Sequence, residues 1–411
     1  MDARGSLIRS QTPFAMVTVQ SMPPRVAILG AGPTGLEAAL AASERGLAFT
    51  LYEASPKVAG HVRDWGHVHV FTPWDMNVSP RARAVLGDSA PSGTETPTGD
   101  ELVQRLYEPL AESEPLRANL SLATQVRAVS RDGLLKSDEI GTGRRADHPF
   151  RLLVERDGEE SVERADVVID CTGTYGHPNS LGDGGIPAPG ERAAADRGRL
   201  DYHLPREQRH LANRTILLTG SGHSAQTAAR DLAELARHAP DTKVVWAVRA
   251  PDPDFGVVDD DPLPARESLN RAALELAGHA SPAIELRRGR VTEAIRARGD
   301  RLSVMLRNGA LEEVEVDHVL ALNGGVGDFT LYRQLQVHEC YATAGPMKLA
   351  AALLASSGAS CLEIPATGPE TLVNPEPGFF ILGAKSYGRN SQFLLSVGWK
   401  QVDDVFGSLL A

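Results

Sequence analysis

Short apolar runs alternate with longer helical stretches along this chain, and the whole alternation occurs twice. Residues 25–29 form an apolar run that passes directly into GAGPTG and then into the alanine-rich LEAALAASERG, a pattern that predicts strand, tight turn and helix. A second strand at 48–52 ends at Glu53, after which Pro56 and Gly60 break the pattern. Ser, Thr, Pro and Gly dominate 87–99, which reads as a surface loop before a helical stretch at 100–112. Strand-like pieces follow at 124–129, 150–155 and 165–169, and the Gly- and Pro-rich stretch 174–198 is the best linker candidate. Beyond it the order restarts with a strand at 215–219, the turn GSGHSA, a helix at 226–237 and a strand at 243–248 that ends at Arg249. Pieces at 289–295, 302–306 and 317–322 complete the repeat, which closes at LNGG where the first copy closes at DCTG. The last stretch, 374–409, reads as a strand ending at Gly383, a loop and a closing helix that returns to the first unit. This order predicts an α/β fold with two Rossmann-like units, doubly wound and three-layered, and therefore two dinucleotide sites.

In the first turn the cofactor-binding positions are Gly30, Gly32, Pro33 and Gly35. Gly30 permits the tight turn, Gly32 lets backbone approach a pyrophosphate, and Gly35 lets the helix pack close to the sheet. The helix N-terminus supplies free N–H donors to the phosphates. Glu53 stands where a carboxylate accepts hydrogen bonds from adenosine ribose hydroxyls, and an acid there repels a 2′-phosphate, so this site suits FAD or NAD. In the second turn Gly220 and Gly222 match the first two glycines and Ala225 replaces the third, with His223 and Ser224 between them. Arg249 occupies the place of Glu53; it is either an exposed strand end or the guanidinium that selects NADPH by its 2′-phosphate.

Bulk properties narrow the reading further. The 411 residues allow two or three domains, and a net charge of −11 disfavours nucleic acid as a partner. Three widely spaced cysteines, Cys171, Cys340 and Cys361, do not make a disulfide framework and fit a reducing cytoplasm. No apolar run reaches the roughly 18 residues of a membrane span, and residues 1–23 read as a loose extension without a signal sequence. No His, Cys or carboxylate cluster has metal-ligand spacing, so no metal site is expected. The acidic, proline-rich stretch 252–264 is either a solvated loop or lies near a substrate entrance.

From residue 24 onward the sequence resembles the flavoproteins with two dinucleotide-binding domains, which include thioredoxin reductases and flavin-containing monooxygenases. The resemblance implies an FAD domain (24–205), an inserted NADPH domain (206–322) and a C-terminal return to the FAD domain (323–411). Gly173 in DCTG and Asn323 in LNGG look like the junction motifs. FFILGA looks like the late flavin motif, with Gly383 matching and Ala384 replacing the usual Asp. No CxxC is present, unlike the dithiol reductases. The segment 61–80 looks like the monooxygenase region in which tryptophans precede an Asn-x-Ser; carried over, Asn77 lies by the flavin and nicotinamide, or else caps a turn. Trp65, Phe71 and Trp74 stack near the flavin or pack in the core. In GAKSYGRN, Lys385, Tyr387, Arg389 and Asn390 either anchor flavin phosphates or an acidic substrate, or form a solvated loop.

The activity so implied is an NADPH-dependent, FAD-containing monooxygenase that oxygenates a small molecule with molecular oxygen through a flavin hydroperoxide. The alternatives are an NADPH:acceptor reductase without its own dithiol, and a dinucleotide sensor that has lost the chemistry. A homodimer is left open.

Overall fold

The computed structural model describes residues 23–278, 281–355 and 368–409. Residues 1–22 of the expected extension, and Cys361, lie outside the described residues. Val26–Leu29 is buried at all four positions because it is a central strand with parallel neighbours on both sides. The first sheet runs Phe379–Ile381, Val167–Asp170, Val26–Leu29, Phe49–Tyr52, Leu120–Ser121, all parallel. The helix Pro33–Glu44 starts on Gly32 with Pro33 in its first turn, where the missing N–H is not needed. Ala38, Ala39, Ala41 and Ala42 leave no exposed surface and let it lie close on the sheet. The opposite face is covered by an antiparallel meander, Thr124–Arg131, Phe150–Arg156 and Glu159–Ala165, whose Val129, Phe150 and Leu152 pack on Ala27, Leu29 and Val168.

The second unit repeats the plan. Its parallel sheet runs Ile284–Arg288, Lys243–Val248, Thr215–Thr219, His318–Ala321, Leu200–Asp201. The helix His223–His238 covers one face and the meander Val291–Arg298, Arg301–Asn308, Ala310–Val316 the other. Apolar patterning misses Glu159–Ala165 and Ala310–Val316 in both copies, because each is the charged outer strand of its meander, with most side chains in water.

Two expectations are corrected here. The first is the boundary at 205/206: Val319 pairs with Leu200 and Leu320 with Asp201, so the strand at 200–201 belongs to the second sheet. Nor is 174–198 a slack linker. Glu191 is fully buried, and its carboxylate accepts hydrogen bonds from the Leu181 and Ala188 N–H groups at 3.1 and 2.7 Å and from the Tyr202 hydroxyl at 2.9 Å. The chain crosses between units at a bridge of Pro178 with Gly325, where Asn179 N–H donates to Gly324 O (2.9 Å) and Val326 N–H to His177 O (3.1 Å). Gly325 is required there, since a Cβ would stand 2.8 Å from the carbonyl oxygens of both Thr174 and His177.

The second correction concerns Lys385, which is buried and spends its ammonium on partners within the protein. Its ammonium is sealed in the first unit and donates to Asp170 Oδ2 (2.6 Å), Thr172 Oγ1 (3.1 Å) and Asp328 O (2.7 Å), so all three protons are used. A second buried group joins Arg131 and Arg145 to Glu376 at 2.7 and 2.9 Å, with the Gln336 N–H donating to the same carboxylate. Burial opposes the charge on Glu376, but the hydrogen bonds from Arg145, Arg131 and Gln336 outweigh it and hold the carboxyl below its usual range.

Replacing Lys385 by Met leaves Asp170 buried without its counter-charge, and denaturant unfolding should show a loss of roughly 3 to 5 kcal/mol. Because the folded value of Glu376 is depressed, its stabilisation is present above its ordinary value of 4.5 and fades as pH falls below that. Glu376→Gln should therefore flatten the acid limb of a plot of stability against pH.

Candidate functional site

Adjacent strands of the first sheet end together, with Leu29 beside Asp170 and Asp170 beside Ile381. The turns that follow therefore converge at the switch point of the sheet, where α/β folds bind ligands. Gly30, at φ +93°, has room for no side chain, since a Cβ would lie 2.9 Å from Cys171 O. Gly35 is tighter still, with a Cβ placed 1.8 Å from Gly30 O. Gly32 is different, because a Cβ there meets nothing within 4 Å. The first and third glycines are thus demanded by the protein itself, whereas the second faces open space at the helix N-terminus. Gly173, at φ +71°, also faces open space, and Gly383, at φ +74°, presses on Thr34, whose Oγ1 would be 2.7 Å from a Cβ. Gly383 N–H donates to Gln401 Oε1 at 2.8 Å, which ties the closing helix to this corner, and Ala384 follows half-buried. Gly30, Gly32, Pro33, Gly35, Gly173, Gly383 and Ala384 are therefore gathered at one end of the sheet.

Glu53 joins them. Its Oε2 accepts from Ala31 N–H (2.8 Å) and its Oε1 from Ser55 N–H (2.9 Å), so the carboxylate is fixed beside the turn. Burial raises its pKa more than these two bonds lower it.

The second turn has the same logic. Gly220, at φ +104°, would place a Cβ 2.2 Å from Leu322 O and 3.4 Å from Asn323 Oδ1, Gly222 faces open space, and Ala225 is fully buried against the sheet. Asn323 lies at the crossing, where its carbonyl accepts from Asn179 Nδ2 at 3.0 Å. Arg249 is exposed at the end of Lys243–Val248 and makes no ion pair among the described residues, while Ser224 is exposed nearby. The His223 ring meets the edge of Phe71 at 4.8 Å, and burial, followed by Arg266, pushes its pKa down. The acidic stretch is partly folded: Phe255 is buried against Trp246, and Asp261 pairs with Arg266 at 2.7 Å.

Two assignments change. Trp74 is buried in the core with the Arg105 guanidinium 4.7 Å above its ring, so it has no face for a flavin. Asn77 is buried, and its Nδ2 donates both protons locally, to Thr72 O (2.8 Å) and Pro73 O (2.9 Å), while Oδ1 accepts from Thr72 Oγ1 (2.8 Å). The amide staples its own turn. His67, in the same segment, lies in a cleft of about 280 Å³ between the units, facing Thr227, Arg230 and Ser268. Both its ring nitrogens are buried without a partner among the described residues, and burial lowers its pKa. Cys171 is buried under the first turn, where burial raises its thiol pKa well above the ordinary value. No helix among the described residues is long and apolar enough to cross a membrane.

The NAD(P)-binding Rossmann-like domain family matches residues 28–89. No curated protein matches the sequence. Among solved structures, the chain is similar to the bacillithiol disulfide reductase of Bacillus cereus, with 17% identity and a TM-score of 0.69 over 94% of this chain and 99% of that one. It is also similar to the thioredoxin reductase of T. acidophilum (14%, 0.58, 95% and 100%). The ornithine N-hydroxylase of Kutzneria sp. 744 aligns comparably (15%, 0.60, 94% and 99%). The chain has the fold shared by these proteins, that of the flavoproteins with two dinucleotide-binding domains.

The geometry separates the glycines by experiment. Gly32→Ala and Gly222→Ala should leave the thermal midpoint of the cofactor-free protein unchanged while weakening dinucleotide binding. Gly35→Ala should lower that midpoint even without ligand.

Proposed function

We propose that this chain is an oxidoreductase that draws electrons from NADPH, bound on the second unit, into FAD, bound on the first. The observation that carries this reading is the pair of like turns with unlike charges beside them, Glu53 at one strand end and Arg249 at the other. Both turns fit a dinucleotide, since Gly32 and Gly222 leave open the space that a Cβ would enter. On this reading the N–H groups opening Pro33–Glu44 receive the FAD pyrophosphate and Glu53 accepts from the adenosine ribose. Arg249 takes the 2′-phosphate of NADPH. FAD supplies the capacity to take up a hydride and release it onward.

For the onward step we favour reduction of an external small-molecule acceptor. Asn77 has no N–H left to offer an oxygenating complex, and Cys171 is sealed as a thiol. Oxygen transfer to a small substrate is the second reading; it is supported by the lack of a CxxC, because it needs no dithiol relay.

Anaerobic NADPH should bleach the flavin of the purified protein. Mixing with oxygenated buffer should then return the oxidised spectrum directly, whereas a long-lived third spectrum would favour oxygen transfer. NADPH that binds without bleaching would make the chain a sensor. Arg249→Ala should raise the KM for NADPH by about ten- to a hundredfold, the value of a charged hydrogen-bond pair, and leave that for NADH unchanged.

A further inference from the structure

Asp201, His210 and His318 each offer one ligand atom, and the three atoms lie within 4.8 Å of one another. They come from three elements of the second unit. Asp201 ends the two-residue edge strand Leu200–Asp201, and His318 begins the neighbouring strand His318–Ala321. His210 sits in the turn Arg209–Leu211, which is anchored by the fully buried Leu211. His318 Nε2 and Asp201 Oδ2 are already 2.8 Å apart, and the His210 ring meets that of His318 at 5.4 Å and 74°. His318 is buried, Asp201 half-exposed and His210 exposed, so the group runs from the interior to the surface.

We propose that these three side chains bind a divalent transition metal ion of the zinc class. Two imidazoles and one carboxylate make a ligand set suited to such an ion, with water in the fourth position. Ligand atoms around a tetrahedral zinc stand roughly 3.3 Å apart, so Asp201 and His318 open slightly and the exposed His210 swings inward. The ion takes the place of the hydrogen bond between His318 Nε2 and Asp201 Oδ2, since a ligating ring nitrogen carries no proton. The ion would tie three segments of the chain together at a strand that has only two paired residues. Sequence spacing conceals the group, because Asp201 and His318 are 117 residues apart.

The test is calorimetric titration of the chelator-stripped full chain with Zn²⁺, alongside His210→Ala, Asp201→Asn and, as a control, His238→Ala, which removes the separate exposed His238–Glu234 pair. Expected is one saturable equivalent in the parent and in His238→Ala, with a higher thermal midpoint on loading, and a loss of affinity of about tenfold or more in each of the other two variants. His210 is exposed, so its removal leaves the fold intact, and circular dichroism checks this. The proposal is overturned if the parent shows no saturable equivalent, or if His210→Ala and Asp201→Asn bind as the parent does. Neither outcome depends on NADPH oxidation, so the proposed activity is judged separately.

Discussion

The ammonium of Lys385 and the carboxylate of Asp170 meet out of reach of water at the end of the first sheet, and most of the site's geometry hangs on that contact. Neither charge is tolerable there alone, since an isolated buried ion loses far more hydration than its surroundings return. The pair fixes the 383–387 turn against the strand Val167–Asp170, and Gly383 in turn presses on Thr34 in the first helix. Gly327 lies flat against the lysine stem, where a Cβ would stand 2.4 Å from Cγ, so the backbone just beyond the interdomain crossing is held by the same side chain. The floor of the first glycine turn and the crossing between the units thus share a single ion pair.

The two units use one backbone solution twice. In each, the first glycine is forced by a carbonyl of the strand's own neighbour, Cys171 in one and Leu322 in the other, and the second stands open. What differs is the strand end alongside. One is a carboxylate held by two N–H groups, and the other an exposed guanidinium with no ion pair among the described residues. The difference in charge is thus carried by one residue per unit, Glu53 or Arg249, outside the glycine turns themselves.

The turns and the central strands were readable from the chain because their determinants are local: glycines at fixed spacing, an apolar run before and an alanine-rich helix after. Elements decided by distant partners were not. Lys385 stands in a polar, glycine-containing stretch that looks like a loop, and its partner lies 215 residues away. Leu200–Asp201 is too short to show a pattern and exists as a strand only because His318–Ala321 offers it an edge. The charged outer meander strands look like loops for the opposite reason, since one face of each has nothing to bury. Asn77 is a local case: the partners that occupy its amide are four and five residues away, in keeping with the alternative in which it caps a turn.

The placement of Lys385 also has a consequence for synthesis. The first sheet is four-fifths complete once residue 170 has emerged, yet its last strand begins at Phe379 and the counter-charge for Asp170 comes 215 residues later. At about 5 to 20 residues per second the ribosome needs roughly ten to forty seconds to supply them. During that interval all the strands of the second unit, which lie between residues 200 and 321, emerge. The nascent first unit meanwhile carries an open sheet edge beside an unpaired carboxylate, a state that invites chaperone binding until the C-terminal strand docks.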